Sequence, residues 1–278
     1  MSEEQNKTLI SAAKGGIVEA IKGVGDVAGA LVDVISGTLV KTLQGTRAVG
    51  AEMTGLVKDT VTGTVQGVAE VGGEVGSAAK GIVLGTLRGT KEVGIGVLDT
   101  ISSTSSAVIK STAEVGGDVV TSAKGAVEGA IVAAKELGVS ITEAASTATN
   151  AVIKGAHAVG SEVGHTTKAV LVGVCQGTKE VGANAMEAIS GSASAVIKAT
   201  ADTGGDLAST AKKAVEGAIA AAKEVGIDVT EAASAAATGA INAAGEISAS
   251  VGAQVRDAVK GTISGVKVVI QEPFKKEP

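Results

Sequence analysis

GTKEVGIGVLDTISSTSSAVIKSTAEVGGDVVTSAKGAVEGAIVAAKELG, residues 89–138, decides how the chain is to be read. Inside it GTKEVG (89–94), STAEVG (111–116) and AAKELG (133–138) recur every 22 residues. Working outward, GTRAVG (45–50) and GVAEVG (67–72) keep the register before it. GAHAVG (155–160), GTKEVG (177–182), ATADTG (199–204) and AAKEVG (221–226) keep it after, with no insertion or deletion. AVIK occurs at 107–110, 151–154 and 195–198, so alternate units resemble each other and the super-repeat is 44 residues long. Repetition at such a period is the mark of a repeat architecture. The repeat covers residues 12–270, between an N-terminal tail (1–11) and a C-terminal tail (271–278), where Pro273 would stop a helix.

A period of 22 is twice 11, and an 11-residue repeat fills three helical turns at about 3.67 residues per turn. With each unit numbered from 23, 45, 67 and so on, position 5 is Val27, Val49, Val71, Val93, Val115, Leu137, Val159, Val181, Val225 and Ile247. Position 21 includes Ile109, Ile131, Ile153, Ile197, Ile219 and Ile241. At roughly 98° per residue these columns, with those at positions 2, 9, 13 and 17, fall within an arc of about 130°. The spacing predicts all-α structure: long amphipathic hendecad helices. They form either one extended rod or helices about 42 residues long, folded back and packed as a bundle or filament. A β-solenoid with 22-residue coils would suit the Val, Thr and Gly, but not this spacing.

Charges are sorted around the stripe. A basic flank carries Lys58, Lys80, Lys91, Lys124, Lys135, Lys168, Lys179, Lys212 and Lys223, at positions 3 and 14. An acidic flank carries Glu70, Glu92, Glu114, Glu136, Glu180 and Glu224, at position 4. Helices lying side by side can pair one flank with the other. Position 6 is Gly throughout: Gly50, Gly72, Gly94, Gly116, Gly138, Gly160, Gly182, Gly204 and Gly226. Each mid-helix Gly costs about 1 kcal/mol against Ala. At the stripe's edge these nine are expected to let another backbone approach closely. A second role is open at Gly72-Gly73, Gly116-Gly117 and Gly204-Gly205, each followed by an acid, where a helix could end and restart.

Composition narrows the classes. The 278 residues hold 24 Lys+Arg against 29 Asp+Glu, 40 Gly, one Cys, two His and a single aromatic, Phe274. Mean hydropathy is +0.37, too apolar for ordinary disorder. One cysteine allows no internal disulfide framework and no cysteine-rich metal site. The slight acidity and lack of stacking aromatics argue against nucleic acid as a partner. MSEEQNKTLI has no basic region followed by an apolar run, and no uncharged apolar stretch is long enough for a membrane span. A cytoplasmic location follows, peripheral to a lipid or granule surface if the stripe coats one.

Chemistry finds no foothold in the residues. His157 and His165 are eight apart and do not form the i, i+4 pair that grips a metal. Cys175 replaces an Ile-type residue of the stripe. The carboxylates recur with the repeat, so none is singled out as acid or base. The Gly-x-Gly pieces lack the strand–turn–helix setting of a phosphate loop. The expectation is a non-enzyme with no cofactor, no metal and no small-molecule substrate.

AKGAVEGA (123–130), AKGIVLGT (79–86), VKGTISGV (259–266) and the recurring GTKEVG resemble the 11-residue repeats of perilipins and synucleins. The resemblance spans nearly the whole chain and is one of composition and period. It implies a chain that becomes long helices on lipid droplets or membranes. The leading expectation is a structural repeat protein that coats a lipid droplet, membrane or storage granule through its Val/Ile/Ala stripe, with lateral zipping of helices. Its rival is a self-assembling scaffold or filament with no lipid, the partner being the chain itself. A third expectation is a stress protectant of the late-embryogenesis kind.

Overall fold

Each 22-residue unit makes one helix and one reversal, and position 6 sets the reversal. Gly72, Gly94, Gly116, Gly138, Gly160, Gly182, Gly204 and Gly226 stand at φ between +64° and +80°. Side chains are strained in that left-handed region, and glycine ends helices there. The amide after the glycine reaches back to close the last turn. Gly73 N–H donates to Val68 O at 2.9 Å, and Gly117 N–H to Thr112 O at 2.8 Å. At five reversals a side chain two residues beyond the glycine caps the next helix, while Gly96 and Glu162 start theirs without a side-chain bond. Asp118 Oδ1 accepts from Val120 N at 2.9 Å, and Asp228 Oδ1 from Glu231 N at 2.8 Å. Asp206, Ser140 and Asn184 cap in the same way.

The computed structural model describes residues 15, 27–45, 51–92, 94 and 96–270. Among them the order is α1 (Val27–Gly45), α2 (Ala51–Glu70), α3 (Val75–Glu92), α4 (Val97–Glu114), α5 (Val119–Leu137), α6 (Ile141–Ala158), α7 (Val163–Glu180), α8 (Ala185–Asp202), α9 (Leu207–Val225), α10 (Val229–Ile247), α11 (Ala249–Val259), β1 (Gly261–Ile263) and β2 (Val266–Val268). Helices α1 to α10 are 18 to 20 residues long. Neither the single rod nor helices about 42 residues long is formed. The double glycines mark only three of these eight reversals, those at Gly72, Gly116 and Gly204. Gly138, Gly160, Gly182 and Gly226 turn the chain equally well without a second glycine.

Each helix packs chiefly against the helices two before and two after it, and less against its chain neighbours. The chain thus builds two layers: α1, α3, α5, α7 and α9 in the first, and α2, α4, α6, α8 and α10 in the second. Within a layer, contacting residues keep a fixed interval. Lys80 meets Glu128, and Arg88 meets Glu136, each 48 residues on. A constant interval means parallel helices. Since 48 exceeds the super-repeat by four, each helix is shifted by about one turn against the last.

Glycine and alanine set the spacing within layers. A Cβ built on Gly129 or Gly173 would stand 2.5 Å from the carbonyl oxygen of Lys80 or Lys124. On Gly85 it would stand 2.8 Å from that of Val32, and on Gly217 2.9 Å from Lys168 Cα. Only residues without a side chain allow such approach, toward the short end of the roughly 8–10 Å range of helix spacings. Between the layers lies a core of Ala, Val, Ile and Leu, with Ile82, Leu87, Ile109, Ile131, Ile153 and Leu171 fully buried. Several buried threonines bond their own helix: Thr86 Oγ1 donates to Ile82 O and Thr178 Oγ1 to Val174 O, each at 2.7 Å.

The last unit departs from the repeat. Ser264 (φ 49°) and Gly265 (φ 80°) form a tight reversal of the kind that joins twisted strands, and β1 pairs antiparallel with β2. Ile263 and Val268 turn inward while Thr262 and Lys267 face out. The hairpin and the short α11 lie over α9 and α10 at the end of the stack. Helical continuity to residue 270 therefore fails after Val259, where Gly261 and the alternation of the following residues take over.

Candidate functional site

The apolar stripe is spent inside the chain. Ile109, Ile131, Ile153 and Ile197 are wholly buried, and Ile219 and Ile241 nearly so. Position 5 falls at the reversals: Val115, Leu137, Val159 and Val181 are half-buried against the core, Val225 is buried and Val71 is half-buried. Ile247 is 45% exposed. Val27 opens α1; its side chain, together with Val49, Val93 and Gly50, lies outside the described residues. The position-6 glycines do not close-pack. A Cβ on Gly72, Gly94, Gly116, Gly138, Gly160, Gly182, Gly204 or Gly226 would meet nothing within 4 Å. Close approach falls instead to position 19: Gly85, Gly129, Gly173 and Gly217 in the first layer and Gly239 in the second. The signal was present, because position 19 alternates between Gly and Ala (Ala107, Ala151, Ala195) with the 44-residue period.

The first layer turns a ladder of ion pairs outward. Lys80 bonds Glu128 at 2.8 Å and also Glu180. Arg88 grips Glu136 with two nitrogens at 2.7 and 2.8 Å. Lys168 meets Glu216 at 2.8 Å, and Gln176 donates to Glu224 at 2.6 Å. Lys91 and Lys179 donate to Leu137 O and Val225 O, the carbonyl ends of the neighbouring helices. Basic and acidic residues do meet across neighbouring helices, but inside one chain. Apart from Lys80 with Glu180, position 4 is served by position 22 (Arg88, Lys154, Lys198) rather than by the expected basic columns. Lys58, Lys135, Lys212 and Lys223 stand exposed, as do Glu70, Glu92 and Glu114, and Lys124 is half-buried.

These pairs shift the groups that form them. Burial opposes the Lys80 charge, but hydrogen bonds to Glu128 and Glu180 outweigh it and raise its pKa. The Lys168 hydrogen bond outweighs burial to hold Glu216 below the usual carboxylate range. The Thr121 hydroxyl does the same for Asp118.

The second layer turns outward small hydroxyls, beside ion pairs of its own, Lys154–Asp202 at 2.7 Å and Lys198–Glu246 at 2.8 Å. Ser102, Ser146, Ser190 and Ser234 form one row, with Ser106, Asn150 and Ser194 beside it, all at least partly exposed. Asp99, Glu143, Glu187 and Glu231 border these rows on one side and Lys110, Lys154 and Lys198 on the other.

Groups of chemical interest are dispersed. His165 Nδ1 lies 3.1 Å from Glu162 at the surface, and His157 is exposed at another position of the same reversal. Cys175 is buried, and burial, with help from Glu224, pushes its thiol up to about 12, so it stays protonated at neutral pH. Among the described residues no three His, Cys, Asp or Glu side chains converge as a metal site. No described helix is long and apolar enough to cross a membrane. A scan of protein-family models finds no match to the chain, and a search of curated proteins finds none.

Proposed function

We propose that the protein is a non-enzymatic structural scaffold whose copies associate side by side without lipid. The observation that carries this reading is the fate of the stripe. Its Ile residues are consumed between the chain's own layers, leaving regular polar lattices as the outer faces. The hendecad period supports it, since acid and lysine on the second layer stand 11 residues apart on one helix face: Asp99 and Lys110, Glu143 and Lys154, Glu187 and Lys198. A second copy can engage such a face along its whole length, so many weak contacts add up. Sedimentation and electron microscopy of the lipid-free protein test this. Ordered fibres or sheets are expected, and a monomer at every concentration would overturn the reading.

A second reading keeps the lipid or granule surface as partner, in line with the resemblance to perilipin and synuclein repeats. It draws on seven buried hydroxyls that, among the described residues, have no hydrogen-bond partner, those of Thr104, Ser105, Thr149, Thr167, Ser192, Thr200 and Thr238. Each such group costs about 1–3 kcal/mol, which makes opening the layers onto an apolar surface cheaper. Phosphatidylcholine vesicles discriminate. If the layers open, Cys175 becomes reactive toward a membrane-permeant maleimide on adding vesicles. Unchanged protection and no co-flotation would remove this reading.

A further inference from the structure

The outer face of the second layer carries charge of both signs in two rows. Asp99, Glu143 and Glu187 stand at position 11 of α4, α6 and α8, and Lys110, Lys154 and Lys198 at position 22, all exposed. On each helix the acid and the lysine lie on one face, three turns and about 16 Å apart. Among the described residues, no ion pair within the chain uses Asp99, Glu143, Glu187 or Lys110. Lys154 and Lys198 hold Asp202 and Glu246, yet their side chains stay 44% and 48% exposed. Lys80 shows that one ammonium of this chain can serve two carboxylates.

The packing fixes how the rows run. Lys154 meets Asp202 and Lys198 meets Glu246, each 48 residues on, so residues 44 apart step back about 6 Å along the helix axis. Gly191, where a Cβ would stand 2.7 Å from Ser146 Oγ, seats α8 closely on α6. The sideways step is therefore about 8 Å, the short end of helix spacings. Each row runs about 6 Å back for about 8 Å across. From Asp99 to Lys154 the path is about 10 Å forward for the same step across, which is at right angles to the rows. Glu143 and Lys198 repeat this relation one super-repeat on. A two-fold axis lying in the face, midway between the rows, therefore exchanges Asp99 with Lys154 and Glu143 with Lys198.

We propose that two copies pair face to face through this surface, with Asp99 and Glu143 of each copy against Lys154 and Lys198 of the other. This rests on the reading that copies associate, and adds which face pairs and in which orientation. A surface that is its own complement under a two-fold axis is what an isologous pair requires. Between the rows stand only short side chains, Ser102, Ser106, Ser146 and Asn150, so nothing keeps the longer Lys and Glu from reaching across.

The available area suffices. Helices α4, α6 and α8 are each 18 residues long. At about 27 Å each and about 8 Å apart they offer about 650 Å² per copy. The pair then covers about 1,300 Å², above the roughly 1,000 Å² that a specific interface needs. The face ends at α10. There a groove of about 520 Å³, lined by Met186, Ala235 and Val269 among others, breaks the surface, and Val269 N–H donates to Ser234 Oγ at 3.3 Å.

Charge exchange in the full chain tests this by sedimentation without lipid. Asp99→Lys with Glu143→Lys sets lysine against lysine in the pair, and Lys154→Glu with Lys198→Glu sets acid against acid. Each double variant should weaken self-association by about a hundredfold while circular dichroism stays folded. An equimolar mixture of the two variants restores opposite charges at every contact, and should pair one to one, less tightly at high salt. Wild-type association retained in either double variant would overturn this pairing and leave the scaffold reading standing on another face. A mixture no more associated than its components would also overturn it. A wild-type chain that stays monomeric at every concentration would overturn both.

Discussion

Three glycines separate the roles that glycine plays in this chain, and replacing each by Ala tests the packing directly. Gly55 lies exposed on α2 with nothing within 4 Å of a Cβ, so Gly55→Ala gains helix propensity, about 1 kcal/mol. Gly116 has equal space but stands at φ +71°, so Gly116→Ala is strained and loses about 1 kcal/mol. Gly173 is the decisive case. Its new Cβ would lie 2.5 Å from Lys124 O and 3.2 Å from the carbonyl carbon, where ordinary contact begins near 3.4 Å. The obstacle is backbone, so α5 and α7 must separate by close to an ångström. A Cβ on Gly177, in the same interface, would lie only 3.1 Å from Ile131, so the interface gives no slack. Overpacking of this kind costs about 1–3 kcal/mol. Even after the propensity gain, Gly173→Ala is expected to lose about 1–2 kcal/mol, a few degrees in thermal midpoint. Thermal melts by far-ultraviolet circular dichroism would rank the four proteins. A Gly173→Ala chain as stable as Gly55→Ala would refute the close packing of α5 on α7.

Asp118→Ala removes the cap from α5 and is expected to cost about 1 kcal/mol in urea melts, with Asp118→Asn nearly neutral. Glu216 and Asp118 both have folded pKa values held below the usual carboxylate range, so their stabilisation is present above that range and is lost as pH falls through it. Acid titration of stability should therefore be shallower in Glu216→Gln, and an unchanged slope would remove Lys168–Glu216 from the ledger. The Cys175 thiol, buried and pushed up to about 12, should react with an aromatic disulfide at neutral pH only as fast as the chain unfolds. Deleting residues 119–162, one whole super-repeat, should leave a shorter folded stack, whereas deleting 119–140 alone should lose cooperative melting.

Helix, repeat length and a buried stripe could be read from residues 89–138, because each rests on local periodicity. The point of reversal was half legible. Gly116-Gly117 followed by Asp118 announces a stop and a start, but Gly138-Val139 followed by Ser140 carries the same geometry in plainer residues. Position 6 is ambiguous in the sequence, because a glycine column on a helix surface and a glycine column in turns give the same pattern; only φ separates them. The ion pairs were legible as sorted charge, not as partners, since pairing 48 residues apart depends on which helices become neighbours. The groove beside Val269 had no signal beyond Ala235 standing where Gly191 stands one super-repeat, 44 residues, before.

The two periods record different physics. A reversal is a local event, so position 6 repeats at 22 residues and is glycine in every unit from Gly50 to Gly226. Packing is not local: the neighbour in space is the unit after next, so contact residues are matched at 44. Position 19 is Gly in α3, α5 and α7, whose helices crowd, and Ala in α4, α6 and α8. Position 14 is Lys in α3, α5 and α7, and Ser in α4, α6 and α8. The same alternation that spaces the helices therefore also gives the layers different skins, lysine at position 14 in one and serine in the other, although both carry ion pairs. Removing a single unit would place every later helix in the wrong layer, with Ala against a gap cut for Gly and serine where a carboxylate expects a lysine. That mismatch grows with each helix beyond the cut, which is why the super-repeat, not the 22-residue unit, is the structural quantum of this chain.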